Sequence, residues 1–121
     1  MKISYVVLYV NDPSACLNFW TEKVGMIEKD RLHVGEFRIT KVGFSNQDFS
    51  FELVPLELMK DNPDGLDLAT PSIALSVDDL VETHAKFKID GIEVSEISDH
   101  SGVKSFGFCD NEGRWFAVLQ D

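Results

Sequence analysis

Apolar and polar positions alternate along Tyr5-Val6-Val7-Leu8-Tyr9-Val10 and then break at Asn11-Asp12-Pro13. A period of two predicts a strand over residues 3–10, and the Asp-Pro pair predicts a helix start: a side-chain acceptor, then a residue with no amide hydrogen to orphan. The helix is expected to reach about Lys23 and close at Gly25, with Cys16, Phe19 and Trp20 on one buried stripe. Residues 26–33, 36–45 and 49–55 read as three strands turned at Val34-Gly35 and Asn46-Gln47-Asp48. The stretch 56–70 holds Asp61-Asn62-Pro63-Asp64-Gly65, has turn chemistry and no sustained period, and reads as a crossover. A lid over a site is the lesser alternative for it.

The pattern then begins again. Ser72-Ile73-Ala74-Leu75-Ser76-Val77-Asp78-Asp79-Leu80 repeats the strand and helix start, predicting a strand over 71–77, a helix over 79–90 closed by Gly91, and a strand over 92–97. Strands over 103–109 and 114–120 follow, joined by the turn Asp110-Asn111-Glu112-Gly113. Val10 matches Val77, Gly25 matches Gly91, and Val42-Gly43-Phe44 recurs as Phe106-Gly107-Phe108. Phe51-Glu52-Leu53-Val54 likewise recurs as Phe116-Ala117-Val118-Leu119. The simplest account is a duplicated βαβββ unit: a module over 1–55, the crossover 56–70, and a module over 71–121. At 121 residues the chain is one domain's worth, so the two halves are expected to share a core.

Composition narrows the partners. A net charge of -10 argues against nucleic acid and anionic membranes, both of which are bound through Lys and Arg. The two cysteines, Cys16 and Cys109, have neither metal-ligand spacing nor the density of a secreted disulfide scaffold, so free thiols in a reducing cytoplasm are expected. The first apolar run is short and lacks a small-residue cleavage site, reading as a strand rather than a signal peptide, and no run approaches transmembrane length.

The doubled βαβββ order, Val77-Asp78-Asp79-Leu80 leading into a helix that ends at Gly91-Ile92, and the Asp110-Asn111-Glu112-Gly113 turn together resemble the vicinal oxygen chelate superfamily. That superfamily includes glyoxalase I, bleomycin resistance proteins, extradiol dioxygenases and fosfomycin resistance enzymes. The turn is similar to the family's Asp-Pro-Asp-Gly, departing from it at Asn111 and Glu112. The resemblance covers the whole chain and implies an α+β fold in which two tandem βαβββ modules form a partial barrel around a central cavity, with helices on the convex side. It also implies a homodimer.

Metal-dependent members hold a divalent cation with His or Glu from the first and last strands of each module, and the matching positions here are Tyr5, Glu52, Ser72 and Ala117. Only Glu52 is a plausible ligand, and one carboxylate is too few where three protein ligands are usual. No metal and no other cofactor is therefore expected. Strand alternation assigns Val6, Leu8, Val10, Ile73, Leu75 and Val77 to the helix-packing faces. The opposite faces carry Tyr5, Val7, Tyr9, Ser50, Glu52 and Val54 in the first half, and Ser72, Ala74, Ser76, Trp115, Ala117 and Leu119 in the second.

Candidate ligand-binding residues are thus Tyr5, Val7, Tyr9, Glu52, Val54, Ser72, Ala74, Trp115 and Ala117. Aromatic walls with polar tips suit a planar or amphipathic organic ligand, although plain filling of a barrel by Tyr5, Tyr9 and Trp115 explains them equally well. Glu52 is the catalytic candidate: on an inner face it either meets a basic group, acts as a general base, or is satisfied by Tyr5, Ser72 or water. His84 falls with Leu80 and Phe87 on one helix face and reads as packing; His33 lies at a hairpin and His100 in a loop. Lys104 is the one basic strand residue that reads as able to reach inward, its facing left open. The reading that follows is a metal-free protein that binds and sequesters a small organic molecule, with cationic aromatic compounds the first class to consider. The alternative is a lyase, isomerase or dioxygenase-like enzyme using Glu52 as base or metal ligand, and the plainest reading is an interaction module whose cavity is filled by its own side chains.

Overall fold

The computed structural model describes residues 1–121. The first alternating run forms β1 (Val6–Val10), shorter at its start than expected, and Asp12 caps the helix that follows by accepting from the Ala15 amide at 3.1 Å. That helix, α1 (Pro13–Asn18), does not continue as α to Lys23: Phe19–Lys23 is a π turn in which the Val24 amide reaches back to the Phe19 carbonyl. Thr21 back-bonds to the Leu17 carbonyl at 2.8 Å at this point, and the wider turn lets the consecutive Phe19 and Trp20 both point into the core. Then come β2 (Ile27–Val34), β3 (Phe37–Gly43), β4 (Phe51–Pro55) and a 3-10 turn over Leu56–Met59.

The second run gives β5 (Ala74–Val77), α2 (Leu80–Ile89) capped by Asp79 through the Glu82 amide at 3.0 Å, β6 (Ser98–His100), β7 (Val103–Cys109) and β8 (Trp115–Gln120). Two four-stranded sheets result, ordered β1-β4-β3-β2 and β5-β8-β7-β6, each with its first and last strands parallel at the centre and edge. This is the tandem βαβββ, α+β architecture that the repeat predicts. The chain divides into two units, Met1–Thr70 and Pro71–Asp121.

Each unit has its own buried cluster. In the first, α1 lies on β3 and β4, and the Trp20 ring sits edge-on to Phe19 and Phe51 with centroids 5.3 and 5.2 Å away. In the second, α2 lies on β7 and β8 over Phe106, Phe108, Phe116 and Val118; Phe108 stacks on Phe116 at 5.5 Å and meets Phe87 edge-on at 5.2 Å. His84 packs as expected, its ring against Phe106 at 4.9 Å and Nε2 at 2.8 Å from the Ser95 carbonyl.

Two expectations need correction, and the facing of Lys104, left open by the sequence, is settled. The strand over 92–97 is reduced to a single bridge, Val94 to Phe108, because the Ser95 hydroxyl takes the Gly107 amide at 2.7 Å and so replaces a ladder bond with a side-chain one. The stretch Ser98-Asp99-His100-Ser101-Gly102 is not a loop but a hairpin arm and turn. Ser101 and Gly102 both have positive φ, 55° and 85°, the conformation of a tight two-residue hairpin. Lys104 falls on the same face of β7 as Phe106 and Phe108, the face that carries α2, and does not reach the open side.

Candidate functional site

In the first unit, strand register decides what the open face of the sheet displays. Val7 pairs with Glu52, Glu52 with Lys41 and Lys41 with Asp30, so these four form one row straight across β1, β4, β3 and β2. Neighbouring strands lie ~4.8 Å apart, which puts an acid, a base and an acid side by side, Glu52 and Lys41 half-buried and Asp30 exposed. Tyr9 and Val54 form the next pair on the same face, Val54 buried and Tyr9 half-buried. Tyr5 precedes β1 and is 39% exposed.

The row is not neutralised pair by pair. The Lys41 ammonium lies over the Tyr5 ring, 4.1 Å from its centroid, a cation–π contact. The Glu52 carboxylate takes part in none of the ion pairs of the molecule. Burial pushes its carboxyl above the ordinary glutamate value; the Lys41 ammonium pulls it partly back and Asp30 pushes it further up. Beside it Asp30, Arg31, Leu32, Ile39, Lys41 and Glu52 line a cavity of about 180 Å³.

Lys41 and Asp30 are the site residues that sequence reasoning missed. The signal was present: had the hairpin between residues 36–45 and 49–55 been set in register, Lys41 would have fallen opposite Glu52. Lys104, the other strand lysine weighed for an inner face, lies on the helix-bearing face of β7.

In the second unit the corresponding face is plain. Ala74 pairs with Ala117 and Ala117 with Gly107, a row with almost no side-chain volume. The Trp115 indole lies beside it; a β-carbon built on Gly107 would sit 3.3 Å from the indole ring, so the glycine is what lets the ring approach. Trp115 itself is 51% exposed, and Ser72 stands exposed just ahead of β5. Of the nine candidates, five therefore fall in the first unit with Glu52 and four in the second around Ala117.

The residues do not fit a divalent cation. Nowhere are three or more His, Cys, Asp or Glu side chains gathered as a metal site requires. His33 pairs across strands with Arg38, on the face of the sheet opposite Glu52, and so supplies no ligand beside it. Neither Cys16 nor Cys109 is in a disulfide, and Cys16 is buried in the core. No helix is long and apolar enough to cross a membrane.

Two tandem βαβββ units, each a four-stranded sheet with a helix on one face, define the class of small two-module α+β proteins. The chain belongs to the Glyoxalase/Bleomycin resistance protein/Dioxygenase superfamily, whose family model matches residues 2–118. A solved structure from Sphaerobacter thermophilus DSM 20745, described as a member of that superfamily, is similar with a TM-score of 0.84 at 16% identity, covering 100% of this chain and 98% of that one. TnmS3, an antibiotic binding protein from Streptomyces sp. CB03234, is similar with a TM-score of 0.81 at 18% identity over 99% of this chain and 95% of its own. By sequence, the uncharacterized protein YurT of Bacillus subtilis (strain 168) is 43% identical over 49 residues, a match spanning 40% of this chain and 39% of YurT.

Proposed function

We propose that the protein binds a small organic molecule on the open faces of its sheets and acts by sequestration, with Glu52 as the residue that selects a cationic, planar ligand. The observation that carries this is the Glu52 carboxylate, half-buried and without an ion pair, in a row where the one available ammonium is turned on to Tyr5. A half-buried carboxylate gains from a cation that arrives with its own apolar surface, because the ligand restores the charge pairing that water supplied. Tyr5 and Tyr9 supply aromatic surface beside it and Trp115 supplies it in the second unit. A structural relative that is an antibiotic binding protein lends the reading support by fold. The reading extends to a homodimer, as the family resemblance implies, and to the cytoplasm, in keeping with two cysteines outside any disulfide.

The test is a fluorescence titration with 9-aminoacridine, a cationic aromatic probe. Glu52→Gln should weaken binding at least tenfold, and wild-type affinity should fall as the pH is lowered through the raised Glu52 titration. Unchanged affinity in Glu52→Gln would sink the charge-based reading. Native mass spectrometry of the same sample reads the oligomer: a monomer at micromolar concentration removes the dimer.

The raised carboxyl also favours a second reading, a metal-free isomerase or lyase with Glu52 as general base. Its test is solvent deuterium incorporation into carbon acids bound by the protein. Incorporation that Glu52→Gln abolishes would replace sequestration with catalysis.

A further inference from the structure

We propose that the first unit carries a second binding site, on the other side of its sheet from Glu52, that takes a small zwitterion bearing both a carboxylate and an ammonium group, a free amino acid being the simplest example. The crevice is a consequence of topology. β1 and β4 are adjacent and parallel, and the residues that follow their carboxyl ends, Asn11, Pro13 and Ser14 after β1 and Glu57 after β4, line the crevice together with Pro55. A crevice outside the carboxyl ends of neighbouring parallel strands is a recurrent place for small ligands. The β2–β3 hairpin walls it on the remaining side with His33, Glu36 and Arg38. The resulting cavity is about 430 Å³, within the range that holds small molecules.

Its chemistry centres on Arg38. The chain has three arginines in a background of 21 acidic residues. Arg31 is held by Glu28 at 2.6 Å, and Arg114 by Asp110 and Glu112 at 3.0 and 2.8 Å. Arg38 has no carboxylate partner: its contact is Nη2 to the Ser14 hydroxyl at a long 3.4 Å. Two glutamates, Glu36 and Glu57, line the same crevice, yet neither closes on it. A half-buried guanidinium with its planar fork of donors free is a receptor for a carboxylate, which it meets with two parallel bonds. The two glutamates are then free to accept from an ammonium on the same ligand. They also repel a dianion, so inorganic phosphate is a poor fit while a carboxylate joined to an ammonium is a good one.

The site is separable from the open face. Arg38 and His33 alternate with Lys41 along their strands and point to the helix-bearing side, so substitutions at one site leave the other intact. The experiment is an NMR titration of the full chain with the twenty common free amino acids, first pooled and then singly, with acetate, ethylammonium and inorganic phosphate at matched ionic strength. The expected result is that one or more amino acids shift the backbone amides of Ser14, His33 and Arg38 saturably, with acetate and ethylammonium at least tenfold weaker. Arg38→Gln should raise Kd at least tenfold, Glu57→Gln should weaken binding of the amino acid but not of acetate, and Glu52→Gln should change nothing. The proposal is overturned by the absence of saturable shifts at 10-fold excess over about 1 mM protein, by equal binding to Arg38→Gln, by phosphate binding more tightly than every amino acid, or by loss in Glu52→Gln. Arg38 makes one long hydrogen bond, so its variant is expected to fold; should it not, the Glu57→Gln arm decides alone.

Discussion

Removing the Asp110 carboxylate should be among the most destabilising single changes on the polar side of this protein. Asp110 opens the turn before β8 with its side chain 1% exposed. One oxygen accepts from the amides of Glu112 and Arg114, both at 2.9 Å, and the other meets the Arg114 guanidinium at 3.0 Å. Asp110→Ala leaves a guanidinium only 12% exposed with one carboxylate in place of two, since Glu112 keeps its bond at 2.8 Å. Breaking a buried pair costs ~3–5 kcal/mol, and the partial compensation by Glu112 sets this case near the lower end. Two amides losing a charged acceptor add ~1–2 kcal/mol, with neighbouring turn residues exposed enough for water to help. The sum, ~4 kcal/mol, corresponds to a fall in Tm of roughly 15 °C for a chain of this size. Asp110→Asn keeps an acceptor for both amides and loses only the ionic contact, so about three quarters of the cost, ~3 kcal/mol, is expected. Urea unfolding of the three proteins, with slopes checked for constancy, measures both numbers. A loss below about 1 kcal/mol in Asp110→Ala would refute the assignment of this network as a stabilising clamp, and equal losses in the two variants would show that the amide contacts contribute nothing.

Three further predictions concern the site and the core. Because the Glu52 carboxyl is raised in the folded state, its contribution favours folding below the unfolded glutamate value and is lost as pH rises through the folded one; Glu52→Gln should therefore raise Tm at pH 7 and leave it nearly unchanged at pH 4, read by calorimetry. Carbon-detected NMR titration of Glu52 should move up in Lys41→Met and down in Asp30→Asn, following the sign of each neighbour's charge. Phe108→Ala, at a fully buried ring with partners at 5.2 and 5.5 Å, should cost ~3–5 kcal/mol in urea unfolding.

The fold was largely legible because its signals are local and occur twice. Asp12-Pro13 and Asp79 both became side-chain caps, and the expected strand over 103–109 formed with those bounds. What failed to show was governed by contacts distant in sequence. Ile92 and Val94 alternate like a strand, yet a single hydroxyl at Ser95 diverts the Gly107 amide and breaks the ladder. Phe19 and Trp20 fit an α-helical stripe only loosely, and the π turn reconciles their burial. At the site, Glu52 stood out because the family resemblance places it at a ligand position on the last strand of the first module, whereas Lys41 and Asp30 needed the register between strands, which alternation within one strand does not carry. Arg38 escaped for a different reason: what marks it is the absence of a carboxylate partner, a property of the folded chain.

The outer edge of β2 has a consequence for how the protein is made. This eight-residue strand ends its sheet with a run of charged side chains, Glu28, Lys29, Asp30 and Arg31, and a register shift between Glu28 and Asp30. Charges and bulges on an open edge discourage another strand from docking there. A ribosome adding about 5–20 residues per second needs several seconds to produce the second unit, during which the first, with a buried cluster of its own, already stands in the crowd of nascent chains. An apolar edge would have that interval in which to capture a neighbour; the charged run and the register shift of β2 work against such capture.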